Sequence, residues 1–237
     1  MNLRSTELPV SEVFPTLQGE GPSIGQPAIF VRLGLCNLNC TWCDTKYSWD
    51  TSRFDMDVEL TPRHPGGLAT EIVLRCAQSK ARLVIITGGE PLLWAKRLVP
   101  LVRLLPKDYR VEIETNGTLK PTADLHSAVS RFVVSPKLSG SGNPTEKALV
   151  PDALLYFASS LKSVFKFVVG SPEELNEVLH LLVRFNICRS NVWVMPEGAT
   201  TEAQMQKLPW LFEEAQKHAF NLSPRLQTLA FGNKRGV

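Results

Sequence analysis

The sequence has no apolar run approaching the roughly 20 residues that a helix needs to cross a bilayer. Its first residues, MNLRSTELP, lack the apolar stretch of a secretory signal. Both absences predict a cytoplasmic protein with no membrane partner, in a compartment where thiols stay reduced. Charge of one sign is also scarce. Against 26 lysines and arginines stand 23 acidic residues, a formal net charge of +3. That excess is too small to predict a nucleic-acid partner, although it leaves room for a positive pocket that takes an anionic small molecule. Repeats, linkers and low-complexity tracts are missing, so 237 residues, 43% hydrophobic and 21% charged, predict one domain (1–237) around a single core. An even set of cysteines is lacking as well. The five are Cys36, Cys40, Cys43, Cys76 and Cys188, three of them within eight residues, which makes a poor disulfide framework and a good metal framework. Cys76 and Cys188 stand alone in apolar stretches and read as small buried hydrophobes.

What is present is an alternation of short β-branched runs with helical spacing. Residues 28–35, 82–87, 110–115, 131–135, 164–169 and 192–195 read as six strands, near-continuously apolar, as strands buried on both faces of a parallel sheet are. Between them, residues 70–79, with Thr70 as N-cap, and residues 92–105, 152–160, 173–185 and 202–218 read as helices. Repeated βαβ units predict an α/β fold with a parallel sheet, an incomplete, partly open (β/α)6-type barrel. Residues 46–68, rich in Asp, Thr, Pro, Gly and Arg, read as a long loop covering a site.

The chemistry-bearing motifs each follow a strand. Cys36 to Cys43 follows the first, Gly88-Gly89-Glu90-Pro91 the second and Asn116-Gly117 the third. Ser135-Pro136-Lys137 follows the fourth, Gly170-Ser171 the fifth and Pro196-Glu197-Gly198 the sixth. In parallel α/β folds the carboxyl ends of the strands carry the active site.

Cys36, Cys40 and Cys43 have the spacing C-x3-C-x2-C. Three thiolates on one short loop ligate three irons of a cubic cluster and leave the fourth open, whereas structural zinc wants four protein ligands and no fourth lies near. A zinc site completed from afar is the plainer alternative. This spacing, with Trp42 before the last cysteine, resembles the radical S-adenosylmethionine superfamily signature. The resemblance implies a [4Fe–4S] cluster whose open iron is chelated by S-adenosylmethionine, which one electron cleaves to methionine and a 5′-deoxyadenosyl radical. Thr87-Gly88-Gly89-Glu90-Pro91, read alone a turn, matches the superfamily segment that holds the methionine amino group. Gln18-Gly19-Glu20 offers an amide, open backbone and a carboxylate to a heterocycle. Arg32, inside an apolar strand, needs an anionic partner, either a ligand carboxylate or a structural acid.

FPTLQGEG from Phe14, FVR before the cysteine loop, CTWCDT, TGGEP, ETNG, SPK and the terminal GNKRGV together resemble the 7-carboxy-7-deazaguanine synthase family over nearly the whole chain. That family has a reduced (β/α) barrel, forms homodimers and converts 6-carboxy-5,6,7,8-tetrahydropterin to 7-carboxy-7-deazaguanine with loss of ammonia. The radical abstracts hydrogen at C6 and the ring contracts with help from Mg²⁺. Hydrogen then returns, regenerating S-adenosylmethionine. The resemblance makes Cys36, Cys40 and Cys43 cluster ligands and Thr45 the Mg²⁺ ligand. Leu17, Gln18, Gly19, Glu20, Arg32, Thr87 and Glu114 fall to the pterin substrate. Trp42, Asp44, Gly89, Glu90, Asn116, Ser135, Pro136 and Lys137 fall to S-adenosylmethionine, and the carboxylate of Val237 is a further candidate for the substrate. An electron donor such as flavodoxin or ferredoxin is implied. A glycyl-radical-enzyme activase would share the cysteine spacing without LQGEG and Arg32, and a non-catalytic metal-stabilised module would not need the Gly-Gly-Glu-Pro segment.

Overall fold

All six expected strands form, and three more join them in the computed structural model, which describes residues 3–237. The strands are β1 (Leu8–Leu17), β2 (Pro27–Leu33), β3 (Thr61–Arg63), β4 (Leu83–Gly88), β5 (Arg110–Thr115), β6 (Arg131–Val134), β7 (Ser163–Val169), β8 (Val192–Pro196) and β9 (Asn221–Leu222). They make one sheet in the order β3-β1-β2-β4-β5-β6-β7-β8-β9. From β2 to β9 every neighbouring pair is parallel, and β1 runs antiparallel to β2 and β3. The sheet does not close. Its edges, β3 and β9, are three and two residues long, which leaves little unpaired backbone to template another chain.

The helices are α1 (Met56–Glu59), α2 (Pro65–Ser79), α3 (Ala95–Leu104), α4 (Ala123–Ala128), α5 (Thr145–Ala148), α6 (Pro151–Ala158), α7 (Pro172–Phe185), α8 (Thr201–His218) and α9 (Leu226–Phe231). The second starts earlier than its apolar spacing predicts. His64, not Thr70, is its N-cap, the imidazole accepting from the Gly66 N–H, with Pro65 opening the first turn. Residues 46–68 are likewise no plain loop, since they contain α1, β3 and the start of α2.

The alternation along each strand separates two faces. Ile29, Val31 and Leu33 of β2, Val84 and Ile86 of β4, Phe132 and Val134 of β6, and Phe165, Phe167 and Val169 of β7 join one large apolar cluster with the helices. The opposite face begins apolar, with Ala28, Leu83, Ile85 and Phe30 packed separately. Toward the strand ends it turns charged: Arg32, Glu112, Glu114 and Lys166 share it. Cys76 packs in the core, whereas Cys188 is exposed; one polar turn after Ile187 lifts it from the apolar stretch that predicted burial.

Candidate active site

The charged inner face opens into a cavity of about 460 Å³, the size of a small-molecule site. One wall is the cysteine loop. Cys36, Cys40 and Cys43 all border the cavity, and none is in a disulfide. Three neighbouring segments pin this loop. The Asn116 side chain donates to Asn37 Oδ1 at 2.9 Å, and Asn37 Nδ2 donates to Thr118 Oγ1 at 2.8 Å. The Thr41 N–H donates to the Ser141 carbonyl at 3.0 Å, and the Leu35 N–H to the Ser48 carbonyl at 2.9 Å. Burial pushes the Cys36 thiol up to about 11 and raises that of Cys40 as well. Such thiols gain most from a bound metal that takes their charge.

The Gly-Gly-Glu turn abuts the root of the loop. A Cβ on Gly89 would lie 1.9 Å from the Leu35 carbonyl oxygen, and one on Gly88 (φ +128°) 2.0 Å from that of Leu33. Only glycine admits this approach. Glu90 is fully buried behind the turn and accepts from the Leu92 N–H (2.9 Å), Thr115 Oγ1 (2.8 Å) and the Asn116 N–H (2.7 Å). Burial raises its carboxyl above the usual range.

Across the cavity stands a cluster of opposed charges. Lys166 Nζ donates to Glu20 Oε2 and lies 3.8 Å from Glu114 Oε1. Glu20 Oε1 accepts from Arg225 Nε at 3.0 Å and Gln227 Nε2 at 2.8 Å, and Arg225 also donates to Asp44. Burial opposes the charge on Glu20, yet the Lys166 and Arg225 cations hold its carboxyl well below the usual range. Glu114 accepts from Gln18 Nε2 at 3.1 Å and Thr87 Oγ1 at 2.8 Å. Arg32 has a structural partner: its Nε donates to Glu12 Oε2 at 2.6 Å, and the two residues are opposed in the β1–β2 register.

The expected site residues meet on this cavity with two exceptions. Leu17, Gln18, Gly19, Glu20, Arg32, Thr87 and Glu114 border it on one side; Trp42, Asp44, Thr45, Gly89, Asn116, Ser135 and Lys137 border it near the cysteines, and Val237 reaches it too. Glu90 and Pro136 do not border it. Glu90 spends its acceptors inside the turn, and Pro136 lies between Ser135, the first residue after β6, and Lys137, whose Nζ donates to Ser135 Oγ at 3.0 Å. Sequence reasoning missed Lys166 and Arg225. Lys166 carries the same signal that singled out Arg32, a cation in an apolar strand; Arg225 sits in a polar segment that offers no such contrast.

A Radical SAM superfamily profile matches residues 31–136, the stretch from β2 past β6 that contains the cysteine loop. A 7-carboxy-7-deazaguanine synthase of Pyrobaculum aerophilum is 39% identical over 228 residues, 96% of each chain. One from Hyperthermus butylicus is 38% identical over 95% of this chain and 93% of its own. The crystal structure of QueE from Escherichia coli superposes with a TM-score of 0.70 at 28% identity, covering 93% of this chain and 94% of that one. This chain belongs to the 7-carboxy-7-deazaguanine synthase family.

Membership in the 7-carboxy-7-deazaguanine synthase family and in the radical S-adenosylmethionine superfamily implies S-adenosylmethionine and a [4Fe–4S] cluster, and the donor set fits. Each cysteine sulfur faces an N–H: Leu38 N for Cys36 (3.4 Å), Asn143 Nδ2 for Cys40 (3.2 Å) and Trp49 Nε1 for Cys43 (3.2 Å). Among the described residues no trio of His, Cys, Asp or Glu converges as a single-ion site. A cluster asks for no such convergence, because its ligands sit on different irons, and tetrahedral zinc does ask for it.

Proposed function

We propose that this chain, as a single cytoplasmic domain, converts 6-carboxy-5,6,7,8-tetrahydropterin to 7-carboxy-7-deazaguanine with loss of ammonia. The observation that carries the reading is one cavity with a three-thiol loop on one wall and the Gln18, Glu20, Glu114 and Lys166 cluster on the other. When bound, the cluster and S-adenosylmethionine supply the 5′-deoxyadenosyl radical that starts the reaction. The protein's part is to hold both molecules and to keep water from the radical.

The Glu20 and Glu114 carboxylates accept from the donor edge of the pterin, with Gln18, Thr87 and the backbone at Leu17 and Gly19 completing its outline. Arg32 keeps Glu12 on its Nε and offers its outer guanidinium nitrogens to the substrate carboxylate. Trp42, Asp44, Gly89, Asn116, Ser135 and Lys137 hold S-adenosylmethionine, with Lys137 seated 5.5 Å above the Trp42 ring. Glu90 and Pro136 support this wall from behind. Thr45 supplies one oxygen to Mg²⁺. Asp44 is engaged by Arg225 through one oxygen, and the ion would draw its other ligands from substrate oxygens and water. Flavodoxin or ferredoxin delivers the electron to a homodimer of the chain.

Anaerobic cluster reconstitution, then S-adenosylmethionine, reductant and the carboxytetrahydropterin, tests the reading. The expected product is carboxydeazaguanine, with S-adenosylmethionine not consumed in proportion to it. An intact cluster without that product would overturn the substrate assignment. Turnover by Cys40→Ala would overturn the cluster itself.

A further inference from the structure

Two segments have no role in the reaction so far, the stretch after Thr45 that carries Trp49 and the turn of residues 139–143 before α5. Each sends one side-chain N–H to a cysteine sulfur, Trp49 Nε1 to Cys43 and Asn143 Nδ2 to Cys40, both at 3.2 Å. The direction of both contacts is fixed. An indole N–H is a donor only. Asn143 Oδ1 accepts the Asn39 N–H at 2.8 Å, so its amide cannot turn without setting oxygen against sulfur and NH₂ against N–H. Its Nδ2 also donates to Ser141 Oγ at 3.1 Å, which holds the group in place.

We infer that Asn143 and Trp49 are positioning residues that set the reduction potential of the cluster. This rests on the reading of Cys36, Cys40 and Cys43 as its ligands. A donor hydrogen presents partial positive charge to the ligand sulfur. The reduced cluster carries one more negative charge than the oxidised one, so the donors stabilise it more, and the potential rises. Partial burial beside Cys40 and Cys43 strengthens the effect. Among the described residues Cys36 receives only a backbone donor, so the tuning that side-chain N–H groups supply falls on two of the three sulfurs.

The test uses full-length protein, reconstituted anaerobically, with iron and sulfide counted and the potential read from the EPR signal of the reduced cluster. That signal reports the loaded fraction alone, so partial loading does not hide the result. Trp49→Phe removes one donor and keeps an aromatic ring. Asn143→Asp keeps the acceptor for Asn39 and turns the donor into a carboxylate oxygen. The expected result is a lower potential in both. Trp49→Phe should shift the reduction equilibrium severalfold and Asn143→Asp about tenfold, which is about 59 mV for one electron. Trp94→Phe is the control for mere loosening near the loop, because its indole N–H goes to the Gly34 carbonyl at 3.0 Å and to no sulfur. Wild-type potentials in both variants, or an equal shift in Trp94→Phe, would overturn the inference. A wild-type protein that assembles no cluster would overturn the cysteine reading beneath it as well.

Discussion

Lys166 spans the inner face of the sheet to bind Glu20, joining β7 to the turn that follows β1, with Glu114 of β5 on its other side. Both acids border the cavity, and the lysine itself is 5% exposed. Buried charges of this kind are stable as a set and costly to break singly.

Lys166→Met should therefore cost about 3 kcal/mol of stability, and the double variant with Glu20→Gln should recover most of it. Substrate recognition should not recover, because in the double variant the Glu20 carboxylate charge is gone and one acceptor oxygen has become an NH₂ donor. We expect kcat/KM for the pterin to fall about 100-fold in both, the scale of a charged hydrogen bond of 1.5–3 kcal/mol, with S-adenosylmethionine binding little changed. The pH dependence has a definite sign. Glu20 is held below its ordinary value, so its contribution is present above about pH 4.3 and lost as pH falls through the folded value. Lys166, though burial opposes its charge, is raised by Glu114 and Glu20, so its contribution is present below the ordinary lysine range and lost as pH rises through the folded value. Denaturation across pH should show both limbs in the wild type and a flatter curve in Lys166→Met. Equal slopes in the two proteins would remove the pair from the account.

Glu90 gives the opposite sign. Burial raises its carboxyl, so ionising it costs stability that grows as pH rises from the ordinary glutamate range through the folded value. Glu90→Gln should flatten that limb. It also turns one acceptor oxygen into an NH₂ donor that faces a neighbouring donor, the Leu92 N–H and Thr115 hydroxyl at one oxygen or the Asn116 N–H at the other. The expected net loss at neutral pH is about 1–3 kcal/mol, measured by urea unfolding. S-adenosylmethionine affinity should change less than it does in Lys137→Ala, because Glu90 does not reach the cavity.

Gly89→Ala is expected to misfold the rim rather than lower affinity. Its methyl would meet the Leu35 carbonyl oxygen, backbone that cannot swing aside, at the root of the cysteine loop. Cluster content after reconstitution should drop along with thermal stability. A variant with full iron content and normal melting would show that the turn tolerates a side chain.

The parallel strands were legible because β2, β4 and β6 to β8 bury one apolar face against helices and most of the other against the sheet's inner packing. The strand β1 was not. Pro9, Glu12 and Pro15 break its apolar pattern. It pairs with β2 from Val10 to Leu17, with Glu12 opposite Arg32, and a single sequence does not reveal such long-range pairing. The cysteine loop was legible from spacing alone. Asn143, Trp49 and Arg225 were not, since each acts through a partner distant in the chain or sits in a segment without contrast; Lys166 shows as a cation in an apolar strand, but its partner Glu20 lies 146 residues away. Their roles arise from how the chain closes around the loop.

The last turn of the chain is held over the same region. Arg235 lies 3.8 Å from the Tyr47 ring centroid, donates through Nε to Glu12 Oε1 at 2.7 Å and through Nη1 to Glu59 Oε2 at 2.9 Å. Glu12 thus carries Arg32 on one oxygen and Arg235 on the other, and Tyr47 donates to it as well, at 2.9 Å. Burial opposes the charge on Glu12, and Arg235 and Arg32 hold its carboxyl below the usual range. Because Arg235 is partly exposed, its loss should cost only about 1 kcal/mol. The larger consequence is local. In Arg235→Ala the residues after Gly232, which border the cavity, lose their anchor, and Glu12 rises toward the ordinary range, so the acid limb of kcat/KM should move to higher pH. KM for the pterin should rise about tenfold, about 1.4 kcal/mol, with kcat less affected, and carboxypeptidase should trim the tail faster. An unchanged KM with faster trimming would mean that the tail is anchored by Arg235 but takes no part in holding substrate.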